Sequence, residues 1–304
     1  MNPPGTGAET ALALFTFDDS GSAHGYSMVD PEAPTLTVTE FATTRGDGIF
    51  EGIGLASGRP LKVDRHLARF AESARRLDLP AQNPAIWSAA IHEVAAALDP
   101  SGLDGGGEGW IKLVLSRGDE VRKPGQAGIP TAWAYGTVSP SLARERTVGL
   151  RVVLLDRGYR HDVTETSPWL LQGAKTLSYA VNKSAVREAV RRGADDAVFV
   201  SSDGYLLEGP TSSLVLRVGG TLVTPRPDIG ILAGTTQAEL FAWAEKSGYT
   251  TSYDLLTRDD LEAADAAWLV SSVRLAAPIR SFDGIPKAVD AELTTAANAY
   301  LRTA

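Results

Sequence analysis

The chain has 304 residues, 43% hydrophobic and 22% charged, which excludes collagen-like, coiled-coil and wholly disordered classes. Its formal charge of −8, from 29 Lys and Arg against 37 Asp and Glu, shows no long block of one sign, so small-molecule chemistry is expected and no nucleic acid. The absence of cysteine, and four histidines (His24, His66, His92, His161) without metal-like spacing, exclude disulfides and thiolate sites and predict no metal.

At about 150 residues per domain the length predicts two domains. Residues 1–30, rich in Gly, Pro, Ser and Asp, read as a flexible N-terminal lead with one short strand around 11–17. A smaller α/β domain is expected over 31–145. In it, 35–41 alternates polar and apolar residues, and the glycines of Arg45-Gly46-Asp47-Gly48-Ile49-Phe50-Glu51-Gly52 predict a close-approach turn. Leu67, Phe70, Ala74 and Leu77 recur at helical spacing before Pro80, and Ile86, Ile91, Val94 and Leu98 mark a second helix before Pro100. Strands are predicted over 110–116 and 131–138, and the polar stretch 139–145 reads as the interdomain linker.

The larger C-terminal domain, 146–304, opens with a strand over 150–155. A helix over 182–192 follows, with Ala185, Val186, Ala189 and Val190 on one face and Gly193 as its stop. Strands over 197–201 and 266–271 and a hairpin around Gly219-Gly220 complete the β-rich block. Thr236 and Glu239 have capping-box spacing ahead of Leu240, Phe241 and Ala244, which predicts a helix start. The opening of the chain lacks a basic segment before an apolar one, and no apolar run approaches the roughly 20 residues of a membrane span, so a cytoplasmic protein with no membrane partner is expected.

Four features could carry chemistry. Free N–H groups and two hydroxyls at Gly234-Thr235-Thr236 suit a phosphate, although most capped helices bind nothing. Lys175, one of only seven lysines, lies among small and apolar residues in Leu171-Gln172-Gly173-Ala174-Lys175-Thr176-Leu177-Ser178-Tyr179. A desolvated amine there could form a Schiff base, where an ordinary surface lysine would extend into water. Glu208 ends an apolar run and could hold a heteroaromatic N–H⁺, or face water from a sheet edge. Arg69, Arg117 and Arg122 could meet phosphate or carboxylate.

In order and spacing, Arg45 to Glu51, His66-Leu67-Ala68-Arg69, Lys175-Thr176-Leu177, Glu208-Gly209 and Leu232-Ala233-Gly234-Thr235-Thr236 together resemble the fold-type IV pyridoxal-phosphate enzymes, the class IV aminotransferase family. The resemblance covers about residues 33–285. It implies an α/β (α+β) fold of two domains, with pyridoxal 5'-phosphate at their interface, and a homodimer acting on a small amino substrate. It further implies that Lys175 carries the cofactor and shuttles the α-proton, and that Glu208 pairs with the pyridinium nitrogen. Arg69, Thr235, Thr236 and Ser272 would hold the phosphate, Leu232 would lie against the ring, and Tyr179 would donate to its phenolic oxygen. Phe50, Arg117 and Arg122 are then expected to meet the substrate.

Transamination and lysis of 4-amino-4-deoxychorismate to p-aminobenzoate and pyruvate share this machinery. The run Lys112-Leu113-Val114-Leu115-Ser116-Arg117-Gly118 is similar to the lyases and lacks the Arg-x-His pair of D-amino-acid aminotransferases, whereas Phe50-Glu51-Gly52 looks like branched-chain aminotransferases. Lyase activity is the expectation. A branched-chain or D-amino-acid aminotransferase, or a bifunctional enzyme, is the alternative, and a non-catalytic pyridoxal-phosphate-binding protein a more distant one.

Overall fold

A computed structural model describes residues 8–99, 107–119 and 128–303. The chain divides into two compact units, one of residues 1–141 with 174–179, the other of residues 142–173 with 180–304.

The first unit is built on a six-stranded sheet. Its elements are β1 (Thr10–Phe17), β2 (Ala23–Val29), the single turn α1 (Phe41–Thr44), β3 (Gly48–Ala56), β4 (Arg59–Pro60), α2 (Val63–Arg76), α3 (Pro84–Ala97), β5 (Glu108–Ser116) and β6 (Thr131–Val138). The strand order is β2-β1-β6-β5-β3-β4, every pair antiparallel. Strict alternation along β6 buries Ala132, Ala134 and Val138, the period-two pattern of a strand with one covered face. The spacing read from Leu67, Phe70 and Ala74 is the buried stripe of α2, and α3 buries Trp87, Ile91 and Val94. Phe15 of β1 stacks on Trp87 at 4.0 Å between ring centroids and Phe70 lies 4.7 Å from the same ring, so strand and helices share one aromatic core.

The second unit comprises α4 (Ala143–Thr147), β7 (Leu150–Asp156), α5 (Val163–Thr166), α6 (Ala180–Arg191), β8 (Asp196–Val200), β9 (Ser213–Val218), β10 (Thr221–Pro225), α7 (Thr235–Lys246), β11 (Thr250–Asp254), α8 (Arg258–Ala263), β12 (Ala266–Ser271), β13 (Leu275–Phe282), β14 (Ile285–Pro286) and α9 (Ala291–Leu301). Its mixed sheet runs β11-β10-β9-β12-β13-β7-β8, with β14 beside β13. Pairing is parallel at β10–β11, β13–β7 and β7–β8. The central strands are near-continuous apolar runs because both faces are covered, as in Ala266 to Val270. The buried Trp268 indole N–H donates to Thr294 Oγ1 of α9 at 2.8 Å, which satisfies it without water.

Several local expectations are corrected. The strand expected around 11–17 is β1, held by Phe15 and by a neighbour, β6, more than a hundred residues away, but Ala23 to Val29 of the expected flexible lead is its hairpin partner β2 at the sheet edge. The stretch 35–40 is loop, with Val38 90% exposed and only an isolated bridge from Glu40 to Asp119 in place of a strand, and Phe41 begins α1. The linker 139–145 already starts the helical turn α4. In α6 only Ala185 and Ala189 are buried, and Val190 is 63% exposed. No helix among the described residues is long and apolar enough to cross a membrane.

Candidate active site

In the first unit the lysine segment is laid against the start of β3. The Phe50 N–H donates to Lys175 O at 2.9 Å and the Leu177 N–H to Gly48 O at 2.8 Å. The Lys175 N–H donates to Ser73 Oγ at 3.2 Å, so both peptide groups of the lysine are held. This explains the glycine turn: a Cβ on Gly48 would stand 2.6 Å from Leu115 O and 2.8 Å from Leu177 Cδ1. Lys175 Nζ lies 4.6 Å from the Phe50 ring centroid and 5.8 Å from that of Tyr179, and the two rings meet edge to face at 5.1 Å. Lys112, beside Phe50 on β5, brings its own Nζ to 5.1 Å from the same ring. Two lysine nitrogens therefore share one aromatic platform.

Beneath this platform is a charge cluster that the sequence reading passed over. Glu51 is fully buried; Arg69 reaches it with Nε at 2.7 Å and Nη2 at 2.8 Å, and His66 Nδ1 lies 2.8 Å from its Oε2. Burial alone would raise the Glu51 carboxyl, but the Arg69 charge and hydrogen bonds, with those of His66, hold it well below the usual carboxylate range. Burial pushes the His66 imidazole down, against the opposing pull of Glu51. The signal was in the sequence: Glu51 falls in phase with Ile49 and Ile53, the buried face of β3, and His66, Arg69 and Ser73 recur at helical spacing.

Arg117, expected on a substrate carboxylate, is spent within the chain. Its Nε and Nη2 lie 2.7 Å and 3.2 Å from the Asp47 carboxylate, and Nη2 also donates to Leu77 O at 2.6 Å. It clamps the glycine turn to the end of α2. Arg122 lies outside the described residues.

In the second unit, the helix start expected near Thr236 is confirmed as α7 and its cap is corrected. The N-cap is Gly234, which has no side chain to offer the helix N–H groups, and Glu239 accepts from Tyr300 Oη at 3.3 Å rather than turning back. Glycine is required there because Ser213 Oγ fills the space of a Cβ. Thr235 and Thr236 are buried in the first turn, and Thr236, 2% exposed, has Oγ1 enclosed with no hydrogen-bond partner. A buried hydroxyl without a partner, at the positive end of a helix, suits an anion. Half-buried Leu232 precedes the helix, and Ser272 sits in the turn after β12. Glu208 is half-buried, and its carbonyl accepts from the Phe199 N–H at 2.9 Å. The phenol of Tyr159 is pushed up by burial, lowered by Arg157 and raised again by Glu208. Arg157 lies 4.7 Å from the Phe199 ring centroid.

The family model for class IV amino-transferases matches residues 48–282. A bifunctional aminodeoxychorismate lyase and D-amino acid transaminase of Mycobacterium tuberculosis is 41% identical over 88% of this chain and 93% of its own. Among solved structures, the fold IV-transaminase CpuTA1 of Curtobacterium pusillum superposes with a TM-score of 0.89 at 46% identity, covering 97% of this chain and 98% of that one. A hypothetical aminotransferase of Mycobacterium tuberculosis in its pyridoxal-phosphate-bound form gives 0.83 at 36%, over 96% and 98%.

Proposed function

The chain belongs to the class IV aminotransferase family of pyridoxal-phosphate enzymes, and from that premise we propose that Lys175 is its catalytic amine and that the enzyme is an aminodeoxychorismate lyase with D-amino-acid transaminase activity. The observation that carries the reading is the pair of lysine nitrogens over the Phe50 ring: Lys175 for the chemistry, Lys112 for a substrate carboxylate.

Pyridoxal phosphate fits the residues present, since the uncapped start of α7 offers backbone N–H groups and a buried Thr236 hydroxyl that lacks a partner. Thr235, Thr236 and Ser272 would hold its phosphate, with Arg69 adding charge in the orientation Glu51 gives it. Glu208 would face the ring nitrogen, Leu232 the ring face, and Tyr179 the phenolic oxygen. When bound, the cofactor supplies an electron sink for the negative charge that develops at substrate Cα.

The remaining work falls to the chain. Lys175 Nζ takes the Cα proton and returns it, and the two hydrogen bonds on its backbone limit where that nitrogen can go. Phe50 and Tyr179 flank the amine, and Lys112 would hold the substrate carboxylate by a charge-assisted contact. Arg117 acts through the glycine turn. The similarity to a bifunctional relative supports two outcomes from one proton abstraction: elimination of pyruvate where the substrate can aromatise, and reprotonation with exchange of the amino group otherwise.

Incubation of the loaded enzyme with enzymatically generated aminodeoxychorismate, beside D- and L-amino acids with 2-oxoglutarate or pyruvate, tests the reading. Equimolar p-aminobenzoate and pyruvate, with exchange from D-donors, is the expected result. Exchange without p-aminobenzoate would leave a transaminase alone, a reading the 46% identity to CpuTA1 supports. The enzyme would act as a homodimer, which light scattering checks directly.

A further inference from the structure

The turn that carries Ser272 is short and conformationally costly. Ser271 of β12 pairs with Leu275 of β13, so Ser272, Val273 and Arg274 make the whole reversal. It closes on Leu275 at φ 62°, a left-handed conformation that a bulky side chain keeps only where its surroundings over-determine it.

Arg274 supplies the anchor. Its Nη2 donates to Asp196 Oδ2 at 2.8 Å and to Ser212 Oγ at 3.3 Å, and its own N–H donates to Ser271 Oγ at 3.3 Å. Asp196, at the start of β8, is almost wholly buried, and Arg274 Nε is enclosed without a partner. A buried ion pair is a weak source of net stability, because both groups give up their water, and an enclosed N–H left unpaired weakens it further. What such a pair does set is position.

Ser212 connects the guanidinium to two further places. Its Oγ stands 2.6 Å from where a Cβ on Gly209, the residue after Glu208, would be. The next residue, Ser213, packs its Oγ against Gly234 at the N-cap of α7. One side chain is thus bonded both to the Ser272 turn and to the strand start on which Gly209 and Gly234 rest.

We infer that Arg274 is a positioning residue for cofactor phosphate binding: through Asp196 and Ser212 it keeps the Ser272 turn in register with the seat of the α7 N-terminus. This rests on the reading that Ser272, Thr235 and Thr236 hold the phosphate. Arg274 touches neither cofactor nor substrate in this role.

The test compares dissociation constants for pyridoxal 5'-phosphate and for pyridoxal, which lacks the phosphate, on the full chain stripped of cofactor. For Arg274→Met the affinity for pyridoxal 5'-phosphate should fall about tenfold, while that for pyridoxal changes less than about threefold. Inorganic phosphate should compete correspondingly less well. Arg274→Lys, which keeps the charge opposite Asp196, should recover most of the loss. Should Arg274→Met fail to fold, Arg274→Lys decides: a selective loss of about threefold for the phosphorylated form supports the role, and parity overturns it. Equal losses for both ligands would mean a general structural role and also overturn it. Thr236→Val separates the two levels. If it loses selectivity for the phosphorylated form and the Arg274 variants do not, the inference alone fails; if no variant loses it, the phosphate reading fails as well.

Discussion

Two polar clusters, one in each unit, treat hydrogen bonding in opposite ways. Around Glu51 the chain buries a full charge and answers it from within, with two Arg69 nitrogens and His66 Nδ1 on one carboxylate. At the start of α7 it buries only neutral polar groups, gives the helix no side-chain cap, and leaves Thr236 Oγ1 without a partner. The first arrangement is closed, so its worth lies in stability and in holding Arg69. The second is open, and its unmet donors are where an anionic ligand gains most, since desolvation of those groups has already been met by folding.

The largest expected effect lies between these extremes, at the amine the first cluster underpins. Lys175→Ala should abolish the visible absorbance of the loaded enzyme and cut turnover by at least ~10³-fold. A retained band, with borohydride labelling at Lys183, would reassign the amine.

Glu51→Gln should sharpen the contrast most, because it leaves Arg69 without its counter-charge in a dry site. A loss of about 3 kcal/mol in urea unfolding is expected; a loss below about 1 kcal/mol would mean the cluster is better hydrated than its burial implies. Thr236→Val is the mirror experiment. It should change stability by no more than about 0.5 kcal/mol, since no bond within the chain is lost, yet weaken cofactor phosphate binding about tenfold. A large stability loss with unchanged affinity would reverse the roles assigned to the two clusters.

Acid should act on the closed cluster first. His66 is held below its ordinary value by burial, so as pH falls below about 6.5 the unfolded chain takes up a proton that the native one refuses, and stability declines. Glu51 adds a second decline below about pH 5: its depressed carboxyl contributes stability above the unfolded value, and that contribution is lost as pH falls towards the native one. The unfolding midpoint should therefore drop between pH 7 and 5.5, and His66→Gln should flatten that stretch of the profile. An unaltered slope would assign the decline to other groups.

The smallest effect is expected at Arg117, whose ion pair with Asp47 is about one-third exposed on each side. Arg117→Lys should cost at most about 1 kcal/mol. A selective rise in substrate KM, with stability intact, would return Arg117 to a carboxylate ligand.

Much of the fold was legible because helical and strand periodicities are local. The apolar stripes of α2 and α3 and the β9–β10 hairpin at Gly219-Gly220 follow from short-range spacing. The failures were non-local. Ala23 to Val29, expected as flexible lead, is a strand because it pairs with β1, whereas 35–40, with an alternation of its own, gains only the isolated bridge from Glu40 to Asp119. The capping box at Thr236 and Glu239 failed for a related reason: Glu239 meets Tyr300, sixty-one residues on.

For the site, the amino-acid sequence by itself determined the types of group available: an amine among small residues, an acid at the end of an apolar run, hydroxyls beside a glycine at a helix start. It also determined the family, because those groups stand in a fixed order. Only the tertiary structure decided which of them are already spent. Arg117 is taken up by Asp47 across 70 residues and Arg274 by Asp196 across 78, whereas Lys175 is held through its backbone, by Ser73 across 102 residues among others. Whether a polar group keeps capacity for a ligand depends on every partner that packing brings within about 3 Å, and partners so distant along the chain leave no mark on local spacing.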